Sequence, residues 1–123
     1  MSLRESGEMY LESIYVLLNK TNRVRAIDVA EYTGYSKPSV SRALSLLRES
    51  GHILTDADGQ LSLTDKGRAL AQKTYERHEV LTKCFMLLGV CEETASADAC
   101  RIEHVISDET FDAMKKHLIE MDE

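Results

Sequence analysis

From Gly7 to Lys20 the apolar side chains Leu11, Ile14, Tyr15 and Leu18 recur at i, i+3, i+4 and i+7, the spacing that lines one face of a helix. This predicts a first helix with one buried stripe. Ala26 to Thr33 predicts a short second helix with Ile27 and Ala30 inward, ended by the Gly34-Tyr35 turn, where glycine tolerates a positive φ. Ser36 caps a third helix, Pro38 sits in its first turn where a missing N–H is harmless, and Val40, Ala43, Leu44 and Leu47 face inward until Gly51. The period then shortens. Ile53-Leu54-Thr55 and Leu61-Ser62-Leu63 flank the glycine-bearing stretch 56–60, which predicts a two-stranded hairpin. Thr64 caps a long helix reaching Leu88 and closed by Gly89, with Leu70, Thr74, His78, Leu81, Phe85 and Leu88 on one stripe. A further helix is expected over Ser96 to Ile106, and Ser107 caps a last one with Phe111, Met114, Leu118 and Met121 on one side. The fold class is therefore mainly α with a small β-hairpin.

A helix, a glycine turn, a second helix and a hairpin make a winged helix-turn-helix, whose second helix enters the major groove of DNA. Its outward residues here are Lys37, Ser39, Ser41, Arg42 and Ser45, with Ser36 at its start. Hydroxyls allow close approach and hydrogen-bond phosphates or bases, while Lys37 and Arg42 attract the polyanion. Arg23 and Arg25 precede the second helix, placed to meet backbone phosphate. Asp56 and Asp58 would repel phosphate, so the wing is expected to contribute little.

The chain's net charge of −6 opposes DNA binding only until it is divided by position. Residues 1–68 carry nine Lys/Arg and nine Asp/Glu, whereas residues 69–123 carry six against twelve. The acidity thus belongs to the second half, and 36–48 holds Lys37, Arg42 and Arg48 with no acid. The expected organisation is a winged-helix domain over 1–68 and a second helical domain over 69–123, with the long helix 64–88 shared.

Cys100, Glu103 and His104 recur at i, i+3 and i+4, so on one helix a thiolate, a carboxylate and an imidazole would share a face. Such a mixture of soft, hard and borderline donors selects transition metals over magnesium or calcium. Three donors leave a site incomplete. Met9 and Glu12 on the first helix and His78 on the long one are the available additions, although a methionine beside an apolar stripe is commonly core filler.

The apolar runs are short and interrupted by charge, which predicts neither a membrane span nor an export signal, and a cytoplasmic location follows. Three cysteines, an odd count, argue against a disulfide framework. An enzyme using Cys100 as nucleophile with His104 or Glu103 as base lacks any sign of an oxyanion hole, glycine-rich loop or substrate cleft, so neither catalysis nor a small-molecule substrate is expected. A winged-helix regulator without a metal switch remains a distinct alternative.

Residues 8–15 (EMYLESIY), 36–41 (SKPSVS), 63–67 (LTDKG), Arg77-His78 and above all 99–109 (ACRIEHVISDE) resemble the iron- and manganese-dependent repressors related to the diphtheria toxin repressor. The resemblance spans nearly the whole chain. It implies a homodimeric, metal-activated transcriptional repressor with an N-terminal winged helix and a helical metal-binding and dimerisation domain, acting on double-stranded, palindromic operator DNA. Met9, Cys100, Glu103 and His104 match the iron-type primary site, while Glu12 and His78 match positions used by manganese-type relatives. Other positions of the iron-type ancillary site fall at Thr82 and Ser96, which cannot replace a carboxylate and an imidazole. The SH3-like domain of longer members is not expected. Thioether and thiolate favour Fe(II), with Mn(II) second and Zn(II), Co(II) or Ni(II) expected to bind in vitro. Phe111, Met114 and Leu118, with Met121, are expected either at the dimer seam or in an intrachain core.

Overall fold

The structure, a computed structural model, describes residues 5–122, and side chains from Ser6 to Met121. These form six helices and one hairpin. The chain divides into two compact units, one ending at Gln72 and the other beginning at Lys73. No helix among the described residues is long and apolar enough to cross a membrane.

In the first unit α1 (Glu5–Lys20), α2 (Ala26–Thr33) and α3 (Lys37–Glu49) pack on one another and on a hairpin of β1 (Ile53–Thr55) and β2 (Leu61–Leu63). The strands are antiparallel, with Ile53 opposite Leu63 and Thr55 opposite Leu61. Leu11, Ile14, Val24, Val29, Val40, Leu44, Leu47 and Ile53 are the centre of its core. Two caps behave as their residue types dictate. Gly34 closes α2 at φ 78°, and the Ser36 hydroxyl accepts the Ser39 N–H at 3.3 Å to start α3. One inward assignment is corrected: Ile27 is 48% exposed, and Val29 is the buried residue of α2. Two turns are too short for the apolar period to fix a helix's phase, so packing against α1 and α3 decides it.

The base of the wing is tied to the start of α4 (Asp65–Leu87). The Thr64 hydroxyl donates to the Gly51 carbonyl at 2.7 Å and accepts the Gly67 N–H at 3.0 Å, capping the helix. A Cβ on Gly67 would overlap the His52 carbonyl, so glycine is required there for close approach. His52 is buried, with Nδ1 2.7 Å from the Ser50 hydroxyl; burial, then the nearby Lys66 ammonium, pushes its pKa below the ordinary 6.5.

The second unit contains the rest of α4 with α5 (Glu92–Ile102) and α6 (Asp108–Asp122). Val80, Phe111 and Leu118 form a core with Cys84 and Ile106, and burial raises the Cys84 pKa. Leu88, placed on the α4 stripe from its spacing, is 81% exposed because the helix stops at Leu87; Val90 N–H donates back to the Phe85 carbonyl at 3.1 Å around Gly89. The fifth helix also departs from expectation. It starts at Glu92 and ends at Ile102, leaving Glu103 and His104 in the following turn. Beyond its end, Arg77 on α4 donates to the carbonyls of Glu103 at 3.3 Å and Ile106 at 2.9 Å, and its other terminal nitrogen pairs with Asp108, which holds the turn between α5 and α6. Ser107 then caps α6 through the Thr110 N–H at 3.1 Å.

Candidate metal centre and nucleic-acid interface

Within the second unit, α4 supplies His78, the C-cap of α5 supplies Glu103, and the next residue is His104. Glu103 is 1% exposed. Its Oε2 lies 2.9 Å from His78 Nδ1 and its Oε1 lies 3.3 Å from His104 Nε2, so each carboxylate oxygen has an imidazole beside it. The side chain of His104 is 6% exposed. His78 Nε2 lies 3.2 Å from the Ser96 hydroxyl, and the Thr82 hydroxyl turns back to donate to the His78 carbonyl at 2.7 Å. A carboxylate buried this far from water requires compensating positive charge. Imidazole nitrogens and a carboxylate are also the donors that borderline divalent ions accept, so the chemistry of the cluster fits a divalent transition metal.

Cys100 belongs to α5 itself. It lies on the last turn of α5 and is exposed, and among the described residues no trio of His, Cys, Asp and Glu ligand atoms within 4.8 Å of one another includes Cys100 or His104. Where one unbroken helix was expected, Cys100 lies in the last turn of α5, Glu103 is its C-cap with helical dihedrals, and His104 lies in the turn beyond. Met9 and Glu12 lie on α1 in the first unit, both half-buried. Met9 packs against that unit's core, and the Ser13 hydroxyl donates to its carbonyl at 2.9 Å with the Met9 sulfur 3.8 Å away.

On the first unit, Lys37, Ser39, Ser41 and Arg42 are exposed on α3, and Arg25 is exposed just before α2. Ser36, exposed at the start of α3, donates to Ser39 Oγ at 2.9 Å while accepting the Ser39 N–H, so it caps the helix at the end expected to face DNA. Arg25 donates its backbone N–H to Asp28 at 2.8 Å and keeps its side chain outward. Sequence reasoning missed Arg48, which donates to Thr55 at 3.0 Å and Ser45 at 3.1 Å and so fastens the wing strand to α3. Its position in the last turn of α3, seven residues before Thr55, was the available signal. At the wing tip Asp56 Oδ1 accepts the N–H groups of Asp58 and Gln60, both at 2.9 Å.

Of the residues expected at a dimer seam or in a core, Phe111 and Leu118 are buried in the intrachain core, and Leu118 also lines the groove beside it. Met114 is half-buried and Met121 exposed. Both border a groove of about 600 Å³ that also involves Leu87, Leu88 and His117.

Three helices with a wing, followed by a helical unit carrying a buried carboxylate between two imidazoles, define a winged helix-turn-helix DNA-binding protein with a metal-binding domain. Residues 2–61 match the N-terminal DNA binding domain of the iron dependent repressors, and residues 64–123 match their metal binding and dimerisation domain. The chain belongs to this family. It is 36% identical over 112 residues to the transcriptional regulator MntR of Escherichia coli O157:H7, covering 91% of this chain and 72% of that protein. It is 34% identical over 108 residues to the iron-dependent repressor IdeR of Mycobacterium tuberculosis, covering 87% of this chain and 47% of that one. The solved manganese regulator SloR superposes with a TM-score of 0.82 at 28% identity, over 96% of this chain and 54% of SloR. The chain thus spans about half the length of that solved regulator.

Proposed function

We propose that this chain is a metal-activated transcriptional repressor that binds operator DNA as a homodimer in the cytoplasm, and that it has no catalytic role. The observation that carries the reading is Glu103, buried with an imidazole beside each of its oxygens. Residues 1–68 are the DNA-reading part and 69–123 the metal-binding and dimerising part, with the helix over 64–88 common to both.

His78, Glu103 and His104 are the proposed inner donors, with Met9, Glu12 and Cys100 completing the set. When bound, a divalent cation supplies the positive charge that the buried carboxylate needs and links donors that are remote in sequence. Glu103 and the histidines supply the N and O atoms, and the Met9 thioether and Cys100 thiol supply softer ones. Lys37, Ser39, Ser41 and Arg42 on α3, with Arg25, contact DNA. In a homodimer two copies of α3, about 34 Å apart or one helical turn, read a palindrome, and ordering the chain by ligation raises DNA affinity without any contact between metal and DNA. Leu87, Leu88 and Met121, exposed around the α4–α6 groove with Met114, are the proposed seam.

Fe(II) is the proposed effector, because thioether and thiol favour it over Mn(II). Mn(II) is the second reading. Two observations favour it: the donors gathered around Glu103 are nitrogen and oxygen while Cys100 is exposed, and the similar SloR is a manganese regulator by name.

Glu103→Gln keeps the side chain's shape and removes its charge. Its Mn(II) and anaerobic Fe(II) affinities are expected to fall by about 100-fold, read by equilibrium dialysis, while the far-ultraviolet circular dichroism of the metal-free protein is unchanged. Affinities equal to wild type would remove Glu103 from the site.

A further inference from the structure

Both ring nitrogens of His78 have a polar neighbour within hydrogen-bond reach: Nδ1 lies 2.9 Å from Glu103 and Nε2 lies 3.2 Å from the Ser96 hydroxyl. Ser96 is half-buried on α5, one turn before Cys100, and Ala95 and Ala99 beside it are fully buried. Its hydroxyl therefore sits in a packed wall rather than on a mobile surface. Thr82, one turn along α4 from His78, has its own hydroxyl committed to the His78 carbonyl. Backbone and ring of His78 are thus each held by a hydroxyl.

We propose that Ser96 is a positioning residue for metal binding, reserving Nε2 of His78 and directing Nδ1 to the metal. The inference rests on the metal-binding reading above. It turns on what a hydroxyl can do that other side chains cannot. In the metal-free chain a neutral His78 that donates Nδ1–H to Glu103 has a lone pair on Nε2, and the Ser96 O–H donates to it. Ligation through Nδ1 needs the lone pair there, so the proton resides on Nε2 and donates to the same Ser96 oxygen. The imidazole stays neutral and keeps one proton in both states; only the nitrogen carrying it changes. One hydroxyl, by rotating about its C–O bond, satisfies both tautomers, whereas a methyl serves neither and a carboxylate serves only the second. A ligating histidine whose other nitrogen keeps a hydrogen-bond partner in both states binds metal more tightly than one that has lost it.

Three proteins test this: wild type, Ser96→Ala and Ser96→Thr, with Zn(II) as the diamagnetic probe and side-chain ¹⁵N spectra of His78 recorded with and without it. In wild type the Zn(II)-loaded spectrum is expected to show a protonated Nε2 and a metal-bound Nδ1. Ser96→Ala is expected to bind Zn(II) about ten-fold more weakly by competition with a chromophoric chelator, with Nδ1 still protonated in the metal-free state because Glu103 holds it, the Nε2 resonance shifted by loss of its hydroxyl partner, and no loss of thermal stability, since alanine suits a helix at least as well as serine. Ser96→Thr restores both the affinity and the Nε2 resonance. Metal bound to Nε2 in wild type, or Ser96→Ala with unchanged affinity and Nε2 resonance, overturns the proposal while leaving the metal-binding reading intact. Wild type that binds no Zn(II) at the histidines overturns both.

Discussion

Glu103 and Arg77 divide the work of the second unit at the level of single side chains. The charge that invites a cation is on Glu103, but the turn that presents it is shaped by Arg77, whose guanidinium holds the carbonyls of Glu103 and Ile106 and pairs with Asp108. Arg77 also lies 5.4 Å from the centre of the Phe111 ring, so it joins the turn to the unit's core. Arg77→Met keeps much of the aliphatic bulk and loses the donors. It is expected to cost about 2–3 kcal/mol in urea unfolding, because hydrogen bonds from a charged group are lost and two carbonyls are left without their donor. A cost within about 0.5 kcal/mol of wild type would show that the turn holds itself. The proposed donors His78, Glu103 and His104 were legible in the sequence as residue types. Their arrangement was not. Spacing at i, i+3 and i+4 assumes an unbroken helix, whereas this one gives way to a turn after its C-cap Glu103, whose carbonyl is held by a residue 26 positions before it.

At the scale of elements, periodicity located five of the six helices among the described residues and the hairpin, because each carries either a buried stripe or an alternation, whereas α5, expected over 96–106 from its donor cluster, starts four residues earlier at Glu92. Capping chemistry placed the start of α3 at Ser36 and of α6 at Ser107. Where the pattern was short, as in α2, the phase failed: Val29 rather than Ile27 is inside. The junction between wing and α4 was legible only as the string Thr64-Asp65-Lys66-Gly67, and the structure supplies its reason. Thr64 caps the helix, and Gly67 lets its first turn approach the His52 carbonyl. Gly67→Ala is expected to destabilise the first unit by about 1–3 kcal/mol despite alanine's better helix propensity, since backbone must move to admit the methyl. Thermal melts followed by circular dichroism read this directly, and a rise in melting temperature would mean that the junction is loose. The tether from Arg48 to Thr55 has the same character: two exposed polar residues whose partnership exists only once the wing folds beside α3.

For the whole molecule, dividing the charge along the chain was more informative than its total. A net −6 conceals a neutral first half whose α3 presents Lys37 and Arg42, and an acidic second half that offers carboxylates to a cation. Family membership was legible from short motifs spread over nearly the full length, and the two family descriptions together cover residues 2–61 and 64–123. The identity of the metal was less legible. The preference for Fe(II) depended on sulfur from Met9 and Cys100, yet Met9 packs on a core and Cys100 is exposed, so the softest donors are the ones the fold supports least.

The claim on which the account depends is that metal bound through Glu103 controls affinity for DNA. Anaerobic fluorescence anisotropy tests it, using a labelled duplex selected from a random pool by the metal-loaded chain and titrations with Fe(II), Mn(II) or a chelator. Wild type is expected to bind at least about ten-fold more tightly with an activating ion than with chelator, within the usual range of allosteric coupling, and Glu103→Gln to show no such gain. Cys100→Ala and Met9→Leu are expected to weaken the Fe(II) response more than the Mn(II) response. A selected duplex bound equally well with either ion and with chelator, or no duplex retained by the loaded protein, would contradict the account.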